Sequence, residues 1–237
     1  FLKRIGSTVD YIIWGAVNWL LFSLVNKSLF ITFEGGEGSG KTTQINFLSK
    51  YLKSKSFKVL VTREPGGSEG AEIIRKLLVT GNPGRWDVET EALLMYAARR
   101  DNFIRLIKPS LNDGKIVISD RFSDSTRVYQ GLVGGISKFK INSLHSFCLE
   151  ELEPDLTFLL DINYQDGLSR ANLRISNENR FESKGDEFHK SVRKAYLKIA
   201  SENPKRIHVI DASKSKNQIK LNIFKIIDEY IEKIKKI

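Results

Sequence analysis

The stretch LFITFEGGEGSGKT, Leu29 to Thr42, decides how the rest of the chain reads. Its first half, LFITFE, is almost continuously apolar, rich in aromatic and β-branched residues, and ends on an acid. A strand buried on both faces of a parallel sheet is written this way. Its second half, GGEGSGKT, matches the pattern G-x-x-x-x-G-K-[ST]. The residues that follow place Ile45, Leu48 and Leu52 at helical spacing on one face, predicting a helix over 42–55. Strand, glycine-rich turn and helix form the context in which this pattern cradles phosphates. Gly35, Gly36, Gly38 and Gly40 let the backbone aim its N–H groups inward, and the positive end of the helix adds to that field. Lys41 supplies a mobile cation for the β- and γ-phosphates, and the Thr42 hydroxyl is placed to ligate Mg²⁺. With Glu37, Ser39 and Thr43, these residues make up the nucleotide-binding set expected here for ATP.

Outward from this segment the strand pattern recurs. KVLVTRE (58–64), KIVISD (115–120), LTFLLDI (156–162) and RIHVID (206–211) are short, apolar and close on a polar or acidic residue. Helical spacing separates them over 89–108, which Pro109 is expected to stop, and over 139–151, 186–201 and 217–236. Alternating strands and helices predict an α/β fold in three layers: a five-stranded parallel sheet with helices on both faces, of the P-loop NTPase kind. Ligands of such sheets sit at the carboxyl ends of the strands, where the acidic strand ends and the glycine-rich turn all fall. No Pro/Gly/Ser-rich linker divides residues 28–237, so these are read as one domain.

The bulk composition excludes little beyond fibrous, repetitive or disordered chains. The 237 residues carry a formal net charge of +10, with lysines dispersed rather than interleaved with aromatics. A nucleic-acid-binding face is therefore not expected. The single cysteine, Cys148, excludes an intrachain disulfide and a cysteine-rich metal site. It reads as a small buried apolar residue in a reduced, cytoplasmic protein. Residues 1–27 form an apolar N-terminal extension. Its core, YIIWGAVNWLLFSLV (11–25), falls short of the ~18–20 apolar residues that span a bilayer comfortably. Three readings stay open for it: a helix docked on the domain or a partner, an interfacial membrane helix, or a stretch outside the functional protein.

Three motifs in order, FEGGEGSGKTTQ, TREPGG (62–67) and SDRFSDSTRVYQG (119–131), resemble the bacterial thymidylate kinases from Ser28 to the C-terminus. The resemblance implies ATP-dependent phosphorylation of dTMP to dTDP by a homodimer. It implies that Arg121 forks onto the acceptor monophosphate, that Asp120 orients Mg²⁺ or the phosphate, and that Arg63, Glu64 and Pro65 line the monophosphate pocket. Thr126 and Gln130 fall at the thymine edge and Tyr129 on the ribose side. Ser125 shares their helical face. Aligned from IKP (107–109), the arginine that contacts the thymine carbonyl falls on Arg99, and the residue covering the base on Met95. A one-residue shift would instead select Tyr96 and Arg100, and the covering residue stays open.

Glu37 stands where one branch of the family has a P-loop arginine. The resemblance then implies that Glu37 reaches the acceptor 3′-hydroxyl and that the compensating cation lies in a lid at about 169–185. There SRANLRISNENRFE (169–182) offers Arg170, Arg174 and Arg180. Arg174 best matches the lid arginine that stabilises the transferring phosphoryl group, and Arg170 is second. Two other readings remain: a kinase for a different nucleoside monophosphate, and a P-loop NTPase without a nucleotide acceptor.

Overall fold

The computed structural model of the chain describes residues 28–172, 180–181 and 183–235. The apolar segment 11–25, Arg174 and most of the arginine-rich stretch lie outside the described residues. Five strands, β1 (Leu29–Glu34), β2 (Val59–Arg63), β3 (Ile116–Asp120), β4 (Leu156–Asp161) and β5 (Ile207–Asp211), pair in parallel in the order β2-β3-β1-β4-β5. Each lies within a residue or so of its expected position.

Strand β1 is central because every residue in it is buried. Leu29, Ile31 and Phe33 face a layer formed by α1 (Lys41–Ser54) and the C-terminal helix α9 (Lys216–Lys235), whose Ile219, Ile223 and Ile227 close that side. Phe30 turns the other way and meets Tyr96, Phe103, Val117 and Phe122. Thr32 shares a 2.7 Å hydroxyl–hydroxyl bond with Thr157 of β4. The chain passes from β1 outward to β2, returns to β3, then crosses β1 to β4. The carboxyl end of β1 is therefore the topological switch point, where a crevice opens. In register, Phe33, Arg63 and Asp120 reach that edge together.

The remaining helices are α2 (Glu69–Val79), α3 (Val88–Asn102), α4 (Lys108–Asn112), α5 (Ser123–Thr126), α6 (Lys138–Leu149), α7 (Tyr164–Asn172) and α8 (Asp186–Glu202). Helix α3 starts where Asp87 caps it, accepting from the N–H groups of Glu89 and Thr90 at 3.0 Å. The structure differs from the sequence expectation in two places. Pro109 does not end a continuous helix over 89–108. A π-helical turn, Phe103–Ile107, intervenes, and Pro109 sits in the first turn of α4, where its missing N–H breaks no bond. Helix α2 is absent from that reading, because its segment follows a Pro-Gly-Gly turn and buries only Ala71, Leu78 and Val79. Cys148 is buried among Phe30, Tyr96 and Leu149, as its apolar context predicts.

Candidate active site

Gly40, in the left-handed conformation, precedes α1 and offers no side chain to cap it. The first turn holds no acidic residue either. The helix N-terminus is thus left to an anion. Gly38 (φ 65°) is held against α7 so closely that a Cβ would lie 1.8 Å from the Gly167 carbonyl oxygen, which only glycine permits. Lys41 lies under this loop and donates to the carbonyls of Gly35 and Gly36, each at 3.0 Å. Burial, then the neighbouring Arg121, push its ammonium down to about 8.

A cavity of about 800 Å³ runs from this loop across the ends of β2 and β3. At one end lie Gly38, Ser39, Gly40, Lys41 and Thr42; at the other lie Met95, Arg99, Thr126 and Gln130. Arg63, Glu64, Pro65, Asp120, Arg121, Ser125, Tyr129 and Glu37 line the ground between. Most of the expected site residues therefore share one space. Gly35, Gly36, Thr43 and Arg170 lie off it. Arg170 sits on the exposed side of α7 and donates to the Ala212 carbonyl at 3.3 Å.

Arg121 is the hinge of the arrangement. It adopts φ 69°, a left-handed conformation uncommon for arginine. Its Nη2 donates to Glu37 Oε1 at 2.9 Å, and its Nη1 donates to Tyr196 Oη at 3.0 Å and Ser125 Oγ at 3.3 Å. Tyr129 donates to the same Glu37 oxygen at 3.1 Å. Burial would raise the Glu37 carboxyl, but Arg121 and Lys41 overcome it and hold the group below the usual carboxylate range. Glu37 thus positions Arg121 and Tyr129, a task its place in the glycine-rich loop did not reveal. Thr42 Oγ1 donates to Asp120 Oδ2 at 3.0 Å, setting two oxygen donors side by side at the loop end of the cavity.

At the far end, Arg99 is 2% exposed. Its Nε donates to Glu64 at 2.5 Å, and its Nη2 to the Phe122 carbonyl and Thr126 Oγ1, each at 3.1 Å. Its Nη1 is buried without a partner. The two registers left open above differ in where their side chains lie. Met95 lines the cavity, whereas Tyr96 points into the core, 1% exposed, with its hydroxyl toward the Ile141 carbonyl. Arg100 faces away from the cavity and donates to the Cys148 carbonyl at 2.8 Å. Of the two registers, Met95 and Arg99 are the pair that lines the cavity.

Arg180 departs from its expected place in the lid. It is a buried side chain that pairs with Glu91. Sequence reading also missed Glu34, which lies buried beneath the cavity. Its carboxylate accepts from Phe122 N (2.8 Å), Ser125 N (3.3 Å), Ser125 Oγ (2.6 Å) and Tyr196 Oη (2.9 Å). These bonds hold the turn that carries Arg121. The only signal was an acid ending an otherwise apolar strand. Arg75 and Phe181 also line the cavity, and neither belongs to a recognisable motif.

Residues 33–223 match the family model for thymidylate kinase. Two relatives are both thymidylate kinases. One, from Caulobacter vibrioides, is 51% identical over 188 residues, 79% of this chain and 90% of that protein. The other, from Ruegeria pomeroyi, is 45% identical over 199 residues, 84% of this chain and 94% of that protein. A crystal structure of thymidylate kinase from Ehrlichia chaffeensis superposes with a TM-score of 0.68 at 38% identity, covering 84% of this chain and 98% of that one. The P-loop, the switch-point crevice and these matches over most of the chain agree: it belongs to the thymidylate kinase family.

Proposed function

We propose that this kinase phosphorylates dTMP to dTDP with ATP by in-line transfer within the one cavity. The observation that carries the reading is the unpartnered, buried Nη1 of Arg99 at the end opposite the P-loop. A buried donor without a partner costs about 1–3 kcal/mol, which a carbonyl oxygen on a bound base would recover. Arg99 therefore reads the thymine carbonyl, Thr126 and Gln130 read the base edge, and Met95 covers its face. Arg63 and Arg121, beside Glu64 and Pro65, receive the acceptor phosphate, with Tyr129 and Glu37 at the sugar. ATP lies on Gly35 to Thr43.

Two polyanions must approach each other, so the chemistry is positioning plus charge neutralisation. Lys41 leaves the Gly35 and Gly36 carbonyls for the β- and γ-phosphates. Arg121, already clamped by Glu37, Ser125 and Tyr196, spans the gap without reorganising. A phosphate oxygen is a competent nucleophile, so no strong base is required. Thr42 and Asp120 would hold Mg²⁺, since adjacent hydroxyl and carboxylate oxygens beside phosphates suit a hard cation. When bound, that ion neutralises phosphate charge. We assign residues 28–237 to one catalytic domain with its lid at about 169–185. Arg174 is the transferring-phosphoryl cation and Arg170 its second. Reaction takes place in the cytoplasm, where a single buried thiol stays reduced. Among the described residues no helix is long and apolar enough to cross a membrane.

The kinase acts as a homodimer in this reading. Exposed apolar side chains gather on three helices that pack side by side: Ile73 and Leu77 on α2, Leu93 on α3, and Phe139 and Phe147 on α6. The two phenylalanines are 80% and 85% exposed, and contact with a second copy would cover them.

ATP consumption followed with dTMP, dUMP, UMP, CMP, AMP or no acceptor tests the reading. dTMP should be preferred, with dUMP lower by about 10–200-fold for its missing methyl. Acceptor-independent hydrolysis, or a preference for AMP or UMP, overturns it. Arg174→Ala should lower kcat far more than it weakens ATP; equal losses in both would remove its transition-state role.

A further inference from the structure

Arg180 heads the fully buried side chains by volume, at 1% exposure. Its Nη1 pairs with Glu91 Oε2 at 2.5 Å and donates to the Leu78 carbonyl at 3.1 Å. Its Nε and Nη2 donate to the carbonyls of Asn82 (3.2 Å) and Pro83 (3.0 Å). The guanidinium thus ties the chain just beyond 173–179 to the connection between α2 and α3. Glu91, also buried, uses its other oxygen, Oε1, to accept from Gln130 Nε2 at 2.6 Å.

This chain of contacts has a directional consequence. A carboxylate held by a guanidinium only accepts hydrogen bonds, so the Gln130 amide must turn its NH₂ toward Glu91. Gln130 lines the cavity, and with its NH₂ held at Glu91 the amide end free to meet a ligand is its carbonyl oxygen, flanked by the one N–H that Glu91 leaves unused. A glutamine without such a partner can present either end. A carbonyl oxygen suits a base whose ring nitrogen 3 carries a proton, as in thymine and uracil. It repels cytosine, whose nitrogen 3 carries a lone pair.

We infer that Glu91 and Arg180 are positioning residues that lock the Gln130 amide with its acceptor toward the base, selecting pyrimidines that carry a proton on nitrogen 3. The inference rests on the acceptor reading of the cavity proposed above and deepens it. Arg180 adds a physical link: the lock is anchored by the segment that returns from the lid.

Glu91→Gln makes the test sharp. The new amide must keep its oxygen toward Arg180, so its NH₂ faces Gln130. Gln130 then turns its own oxygen to residue 91 and its NH₂ to the cavity, which favours cytosine and opposes thymine. The experiment measures kcat and KM for dTMP and dCMP at saturating ATP, KM for ATP, and thermal unfolding. The kcat/KM ratio of dTMP to dCMP should fall about 10-fold or more, the equivalent of one hydrogen bond, mainly through KM for dTMP. KM for ATP should stay within about twofold. A merely structural pair would lower both acceptors alike.

Gln130→Leu, which leaves the Arg180–Glu91 pair in place, separates the two levels of the argument. An unchanged ratio in folded Gln130→Leu overturns the acceptor reading at that residue. A ratio lost in Gln130→Leu but kept in Glu91→Gln overturns the lock alone. If Glu91→Gln does not fold, the charge-free double variant Glu91→Gln/Arg180→Met takes its place. Freed to flip, its residue-91 amide should also erode the ratio, and a wild-type ratio there overturns the lock.

Discussion

Glu34 shows how one residue serves both stability and the site. Burial, then the nearby Asp124 carboxylate, push its carboxyl up to about 7, although Arg121, Ser125 and the Phe122 N–H pull it down. The folded protein therefore holds this proton more tightly than the unfolded chain does. Its contribution to stability is fully present below about pH 4.5 and is lost as pH rises through about 7, by up to about 3 kcal/mol. Glu34→Gln should flatten that decline, as urea unfolding at pH 5, 6.5 and 8 would show; an unchanged slope would remove Glu34 as its source. The same variant should raise KM for dTMP, because Ser125 and the Arg121 turn lose an anchor. Met95 and Tyr96 make a second pair at this scale. Met95→Ala should raise KM for dTMP several-fold, since it removes the thioether that would cover one face of the base. Tyr96→Phe, in the core, should leave KM unchanged; the reverse pattern would restore the shifted register.

Among elements, the contact of α7 with the P-loop is the tightest constraint. A Cβ on Gly167 would come within 2.4 Å of the Glu37 carbonyl oxygen. Gly167→Ala must then push α7 away from the loop or tilt Glu37, and Arg121 with it. Turnover should fall by about 10–100-fold with little change in unfolding midpoint, since small misplacements at the reacting centre are costly. Wild-type kcat in a folded Gly167→Ala would show that α7 moves freely over the loop. The two π-helical turns, Phe103–Ile107 and Arg127–Val133, matter at this scale too. The second follows α5 and keeps Ser125, Thr126, Tyr129 and Gln130 all on the cavity. Spacing of three and four residues predicted their shared face, but not the widened turn that maintains it.

For the whole molecule, the homodimer proposed above would bury the exposed apolar side chains of α2, α3 and α6. Phe147→Glu should shift the protein from dimer to monomer in sedimentation equilibrium, since a charge placed in an apolar contact is not compensated there. A dimer of unchanged strength would move the interface elsewhere. Helix α3 also carries Met95 and Arg99 on its inner side, so the apolar surface lies directly behind the acceptor end of the cavity.

The sequence alone determined the sheet, its parallel sense, the P-loop and the family. These depend on local patterns: apolar runs that need burial on both faces, and glycines at turns that no other residue can make. Arg121, Asp120, Arg99 and Thr126 were legible because they sit in motifs at strand ends and along one helical face. Only the tertiary structure decided who holds whom. Glu37 clamps Arg121 across 84 positions of sequence, Glu34 reaches Ser125 and Tyr196, and Arg180 pairs with Glu91. Such pairs carry no spacing signal. A buried charge is satisfied by whatever partner the packed elements bring within about 3 Å, and only the packing makes that choice.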